Sequence, residues 1–133
     1  MPAVTEQNKA LVRRLVDEVM NQGRVEVLDE IYTPEMAVTA KTWITPFLTS
    51  FPDVRMQVVD LVAEGDKVVG RFLCSGTQRG EWQGHPARGQ RFEGVAEVYF
   101  FELHEGRIAK AWGLEDNLSR MQQLGYIGRH GSA

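Results

Sequence analysis

The chain has 133 residues, enough for one domain, and it is 43% hydrophobic and 25% charged, so it can bury a core without disulfides. A formal net charge of −3 argues against binding to nucleic acid, and a single cysteine, Cys74, excludes an intrachain disulfide and disfavours structural zinc. Because the N-terminus lacks a signal-peptide pattern and no apolar run approaches ~20 residues, we expect a cytoplasmic protein that does not bind membranes.

The N-terminal third has apolar residues at helical spacing. This pattern predicts a long helix over Glu6 to Gln22 and a short one over Val25 to Ile31, which Thr33-Pro34 would stop. A third helix of two to three turns is predicted around Trp43 to Phe51, with Pro46 in its first turn, where no hydrogen bond is lost.

The rest of the chain alternates in the manner of β-strands separated by glycine-containing turns. Three helices followed by hairpin-linked strands indicate an α+β domain in which helices pack on a curved antiparallel sheet. We expect a single domain over residues 1–133, with an ordered core at 6–125 and a flexible tail at 126–133. The predicted strands are 54–63, 67–77, 91–103 and 108–114, followed by a helix at 117–124 with Leu118, Met121 and Leu124 inward.

The C-terminal motifs resemble those of the SnoaL-like polyketide cyclases. They comprise a glycine turn before Ile108, a strand containing Trp112, Asp116 four residues later, and a helix ending in Gln123-Leu124-Gly125. The resemblance implies the cone-shaped fold of the nuclear-transport-factor-like superfamily, with an internal pocket. It also implies a cofactor-independent enzyme, a hydrophobic polycyclic or polyketide-like ligand, and a homodimer formed through the exposed face of the sheet.

Asp116 is the principal catalytic candidate. The resemblance assigns it the role of general acid/base in an intramolecular aldol ring closure, and burial at the cavity mouth would raise its pKa toward a useful value. The alternative is that Asp116 caps the helix that begins at Asn117, since Asp is favoured at that position. Its neighbour Glu115 would point the other way along the strand and is expected to be exposed.

Aromatic residues and one further carboxylate are candidate substrate-binding residues on the last two strands. Strand alternation predicts that Trp112 shares a face with Ile108, as a core aromatic or as a flat wall for a planar ligand. Glu97 and Tyr99 share one face of their strand. If that face is inward, Glu97 is a buried carboxylate and Tyr99 a hydrogen-bond donor to a developing enolate; if it is outward, both meet solvent or a second subunit.

Three more binding candidates lie elsewhere in the chain. Trp82 and His85 belong to a glycine-punctuated loop at residues 78–90, where His85 is either solvent-exposed or able to swing over the pocket, and Trp43 lies on the third helix. No spacing of histidines suggests a metal site, and no phosphate-binding loop suggests a nucleotide, so neither a metal nor a cofactor is expected.

The segment Met36 to Trp43 departs from the family pattern, because it is short and lacks a histidine. We expect this shortening to remove part of a strand or lid over the pocket. It favours the alternative of a non-catalytic small-molecule-binding or dimeric interaction module. Related hydroxylase, isomerase and epoxide hydrolase activities also remain open, the last needing Asp116, Glu97 and Arg71 to converge on a water molecule.

Overall fold

The computed structural model describes residues 3–128 and has the α+β architecture predicted from the sequence. Its four strands form one open antiparallel sheet in the order β1-β2-β3-β4. None of the helices in this part of the chain is long and apolar enough to cross a membrane. The elements are α1 (Val4–Arg14) with a π-helical extension (Leu15–Met20), a 3₁₀ turn (Val25–Val27), α2 (Leu28–Ile31), α3 (Pro34–Ser50), β1 (Arg55–Glu64), β2 (Lys67–Thr77), β3 (Arg91–His104), β4 (Arg107–Glu115) and α4 (Asn117–Gln123).

The first predicted helix is present, but its last six residues form a π-helix. The Asn21 amide N–H donates to the Val16 carbonyl oxygen at 2.9 Å, an i→i−5 bond. The Asn21 side chain also donates to and accepts from the Met56 backbone, at 3.0 and 2.7 Å. The helix is therefore tied to β1 by a side chain that pairs with the strand in the way a neighbouring strand would.

The third helix is longer than predicted, and Pro46 lies in its interior rather than in its first turn. Thr33-Pro34 begins this helix instead of only ending the previous one. The Thr33 hydroxyl accepts a hydrogen bond from the Met36 N–H at 3.3 Å, and Pro34 occupies the first turn. Tertiary packing outweighs the hydrogen bond lost at Pro46, since Ala40 and Ile44 are buried. The segment 36–43 is thus helical and belongs to α3.

A β-bulge in the β3–β4 hairpin decides which residues face inward. Glu102 pairs with Lys110, whereas Leu103 pairs with Ile108, so Ala109 is an extra residue in β4. Beyond the bulge the alternation is reversed relative to the simple prediction. Ala111, Gly113 and Glu115 then lie on the inner face, and Lys110, Trp112 and Leu114 lie on the outer face.

The core lies between the helices and the inner face of the sheet. Its centre includes Phe51 and Phe92, whose rings meet edge-on with centroids 5.0 Å apart. Helix α4 packs on β3 and buries Leu124 as predicted. However, Leu118 is 60% exposed, and the fully buried residue of that helix is Arg120.

Candidate active site

A cavity of about 930 Å³ lies between the helical layer and the inner face of the sheet. This volume is at the upper end of the range for small-molecule sites, which are mostly apolar with a few placed polar groups. The π-helical extension of α1 and helix α3 contribute apolar residues, and the 78–90 loop contributes Trp82. The aromatic residues along its walls include Tyr32, Trp43, Phe47, Phe72, Trp82 and Phe101.

Two carboxylates face this cavity from adjacent strands. Glu97 on β3 is the direct cross-strand partner of Glu115 on β4, and both line the cavity. Arg120 reaches them from α4, with Nη2 donating to Glu97 Oε2 at 2.5 Å and Nη1 donating to Glu115 Oε1 at 2.9 Å. The Tyr99 hydroxyl donates to the other oxygen of Glu115. These four side chains, which we call the carboxylate cluster, form one hydrogen-bonded unit.

The carboxylate cluster holds Arg120 and Glu97 away from water, whereas the Glu115 side chain is partly exposed. The Glu97 side chain is only 5% exposed, and burial together with the neighbouring Glu115 charge raises the pKa of Glu97 to about 7 against the opposing effect of Arg120. Burial and the same carboxylates also raise the pKa of Tyr99, so Tyr99 stays a hydrogen-bond donor at neutral pH. The cluster can therefore gain or lose a proton near neutrality.

Arg120 is held from several directions and is fully buried. Its guanidinium carbon lies 4.6 Å from the ring centroid of Phe92 and 5.4 Å from that of Phe47, and Nη1 also donates to Asn117 Oδ1. The sequence pattern did not predict a buried Arg120, because arginine is usually exposed. The available signal was its position four residues before the inward Leu124, on the same helical face.

Tyr99 pairs with a glycine on each neighbouring strand, and the glycine on β4 makes room for its ring. Tyr99 pairs with Gly70 on β2 and with Gly113 on β4. A Cβ atom at Gly113 would lie 2.4 Å from the Val98 carbonyl oxygen and 2.5 Å from Tyr99 Cδ1. The missing side chain therefore lets the Tyr99 ring lie across β4, where its hydroxyl reaches Glu115.

Five of the six predicted binding residues line the cavity, Trp112 among them. Glu97 and Tyr99 are on the inward face, the arrangement in which Glu97 is a buried carboxylate. Trp43 and Trp82 also line the cavity. His85 does not line it. Its ring stacks on that of Tyr126, the first residue of the predicted flexible tail, with centroids 3.8 Å apart. Residues 129–133 of that tail lie outside the described part of the chain.

Asp116 lies elsewhere than the catalytic interpretation requires, and Trp112 lies on the opposite face of β4 from the one predicted. The Asp116 carboxylate is exposed, accepts a hydrogen bond from Ser119 N–H at 3.0 Å as the N-cap of α4, and is not among the cavity residues. Trp112 borders the cavity, but its ring is 59% exposed and stacks on Phe100 across the outer face, with centroids 4.7 Å apart. The prediction that Trp112 shares a face with Ile108 is wrong because of the bulge at Ala109, which also turns Glu115 inward.

Residues 3–128 contain no group of three or more His, Cys, Asp or Glu side chains that could hold a metal ion. The carboxylate cluster places Glu97, Tyr99 and Glu115 on the cavity wall, and Ser50, Gln83 and Asn117 are further polar residues of the lining. An aromatic cavity with carboxylates on one wall is typical of α+β proteins that bind an apolar small molecule and can exchange protons with it.

The chain belongs to the SnoaL-like polyketide cyclase family, whose model matches residues 10–124. It is 26% identical over 108 residues to aklanonic acid methyl ester cyclase DnrD of Streptomyces peucetius, a match covering 81% of this chain and 72% of that protein. A SnoaL-like polyketide cyclase structure from Jannaschia sp. CCS1 superposes with a TM-score of 0.86 at 26% identity, over 96% of this chain and 97% of that one. TsrD from Streptomyces laurentii gives a TM-score of 0.83 at 28% identity, over 95% and 100%.

Proposed function

We propose that the protein catalyses acid/base ring closure of an uncharged polyketide-derived ketone, using Glu97 and Glu115 as its proton-transfer groups. The observation that carries the proposal is the carboxylate cluster on the wall of the aromatic cavity. A relative that acts on aklanonic acid methyl ester supports the substrate class. We also propose that it works in the cytoplasm. The proposed reaction uses no cofactor, since a carbon acid between two carbonyls needs only a modest base in a dry pocket.

Glu115 is the member of the pair that contacts substrate in this proposal, because its side chain is 28% exposed whereas that of Glu97 is 5% exposed. Glu115 takes the α-proton of the ketone, and the enolate carbon attacks a second carbonyl of the same molecule to form the ring. The new alkoxide then takes up a proton from the pair, so the product is an isomer of the substrate. Arg120 stabilises the carboxylate at 2.9 Å, and Tyr99 orients it.

Asp116 remains a competing proposal, since the family resemblance assigns the acid/base role to that position. The exposed, helix-capping carboxylate disfavours it on physical grounds, because a base in water gains nothing from desolvation. The two proposals therefore differ in whether catalysis requires the carboxylate of Glu115 or that of the adjacent Asp116.

The test is turnover of aklanonic acid methyl ester by E115Q, E97Q and D116N. E102Q is the control, because Glu102 lies on β3 like Glu97 but is more exposed. We expect E115Q and E97Q to lose at least ~100-fold in kcat/KM, the usual contribution of general acid/base catalysis, and D116N and E102Q to stay near wild type. Full activity in E115Q together with loss in D116N would transfer the role to Asp116. Absence of turnover in the wild type under all conditions would favour the non-catalytic binding module.

Hydrolysis of an epoxide is a second candidate, favoured by the convergence of two carboxylates and an arginine. Glu115 would activate water while protonated Glu97 donates to the epoxide oxygen. The residues differ from those expected, because Arg71 lies in a surface ion pair with Asp60 at 3.2 Å. Reaction in H₂¹⁸O separates the two chemistries: ring closure leaves the substrate mass unchanged, and hydrolysis adds one labelled water.

We further propose that the outer face of the sheet associates with a second copy of this chain. Phe100, Trp112 and Leu114 expose apolar side chains there, and the first two stack on each other. Contiguous exposed apolar residues of this kind mark association surfaces. Light scattering should give a dimer mass for the wild type and a monomer for W112R; a wild-type monomer at micromolar concentration would reject the proposal.

A further inference from the structure

A tight turn in the loop between β2 and β3 presents Gln83 to the cavity. Trp82 and His85 exchange backbone hydrogen bonds of 3.0 and 2.8 Å, which closes a two-residue hairpin around Gln83 and Gly84. Both central residues have positive φ, 51° for Gln83 and 79° for Gly84. Such turns favour Asn or Asp followed by Gly, so a glutamine at the first position is an unfavourable choice for the backbone alone.

The loop that carries this turn is anchored on two sides. The buried Gln78 amide donates to the Gly80 and His85 carbonyl oxygens at 3.0 and 2.9 Å. On the other side, the Ser50 hydroxyl donates to the Glu81 carbonyl oxygen at 2.5 Å.

Tyr126 adds a third attachment to the same loop. Its hydroxyl donates to the Gln78 side-chain oxygen, and its ring stacks on His85. Because the turn is fixed by the surrounding structure, the position of Gln83 at the cavity is fixed with it.

Gln83 lines the same cavity as the carboxylate cluster, together with Glu81 and Trp82. The Lys, Arg and His side chains of residues 3–128 are absent from this lining, so it offers no cation for a ligand oxygen. The hydroxyl donors of Tyr99 and Ser50 are engaged on Glu115 and on the Glu81 carbonyl, and the other polar donors of the lining include the Tyr32 hydroxyl and the Asn117 amide. The Gln83 amide supplies two N–H donors and no charge, which suits a ketone oxygen.

We propose that Gln83 is a substrate-orienting residue whose amide donates a hydrogen bond to a carbonyl oxygen of an uncharged planar ketone in the cavity. Strain alone does not carry this inference, because Glu105 in the β3–β4 turn has the same conformation, with φ of 50°, and lies outside the cavity. The difference is the location of Gln83 on the cavity wall. The inference rests on the proposed function only in taking this cavity as the substrate site.

Binding of 9-fluorenone and fluorene, which differ only by a ketone, tests the assignment. Dissociation constants are measured by displacement of the fluorescent probe N-phenyl-1-naphthylamine. The wild type should prefer fluorenone, and Q83G and Q83E should lose that preference by roughly 2- to 10-fold, the worth of one neutral hydrogen bond, with fluorene affinity unchanged. The melting temperature of Q83G should equal or exceed that of the wild type, since glycine accepts a positive φ freely.

E105G is the matched control, because it makes the same change in a turn away from the cavity, and it should leave both affinities unchanged. E115Q should keep the fluorenone preference while losing turnover, which separates this inference from the catalytic proposal. Equal ketone preference in the wild type, Q83G and Q83E would overturn the role of Gln83. So would parallel losses for both ligands, or a wild type that binds neither.

Discussion

The buried Glu97 carboxyl should make the folded protein less stable as pH rises from 5 to 8. Its pKa in the folded state, about 7, exceeds the ordinary value of 4.5, so the folded state binds this proton more tightly than the unfolded chain does. The stabilisation from protonated Glu97 is complete below its unfolded-state pKa of 4.5, and it is lost as pH rises through its folded-state pKa of about 7. At about 1.36 kcal/mol per unit of pKa difference, the change amounts to roughly 3 kcal/mol in the free energy of unfolding.

Few other shifted groups interfere in that interval. The pKa values of Glu18 and Asp53 are lowered, so their contributions change only below about pH 4.5 and have the opposite sign. E97Q removes the titrating group but keeps a hydrogen-bond acceptor for Arg120. The stability of the wild type, measured relative to E97Q, should therefore fall by about 2–3 kcal/mol between pH 5 and 8.

Urea unfolding followed by tryptophan fluorescence measures this difference, since the chain contains three tryptophans. E102Q is the control, because Glu102 is on the same strand but has a 41% exposed side chain. Its stability curve should run parallel to that of the wild type. If the curves of E97Q and the wild type are also parallel, Glu97 is ionised throughout this range, and a pair that exchanges a proton near neutrality is refuted.

Three further substitutions test the neighbours of the cluster. Arg120→Met should cost about 3–5 kcal/mol of stability in urea unfolding at pH 8, because it leaves buried carboxylates without a partner, and less at pH 5; equal losses at both would contradict this. Asp116→Ala should cost about 1 kcal/mol, whereas Asp116→Asn should cost little because Asn also caps helices; equal losses would reject the capping role. Gly113→Ala should cost about 1–3 kcal/mol and displace Tyr99 from Glu115, which the tyrosine ring signals in NMR spectra would report; unchanged signals would reject the steric argument.

The strand order was predictable from the sequence because local chemistry specifies it. Glycine-containing turns separate the predicted strands at Gly65 and Gly106, and both glycines have positive φ in the structure. Strand β2 is found over its predicted residues, and the other strands differ from prediction by one or two residues at their ends. The length of α3 was not predictable in the same way, because Pro46 in a helix interior is tolerated only through packing that the local sequence does not reveal.

The carboxylate cluster was only half predictable, since it depends on long-range features. Glu97 and Tyr99 follow from the alternation of β3 once its inward face is known. Arg120 does not, because a buried arginine requires acceptors that come from other elements, here Glu97 on β3 and Glu115 on β4. A sequence pattern that assigns charged residues to solvent will miss such a residue whenever its partners are distant in the chain.

One inserted residue determines which carboxylate reaches the cavity. Trp112 and Asp116 are four positions apart, so uninterrupted alternation from Ile108 would turn both inward. The bulge at Ala109 reverses the alternation, placing Trp112 on the outer face and Glu115 on the inner face opposite Glu97. Asp116 is then free to cap α4, and this cap begins the helix that brings Arg120 to the two glutamates. Bulge, cap and buried arginine therefore act together: each is needed for the cavity wall to carry a pair of glutamates rather than a single aspartate.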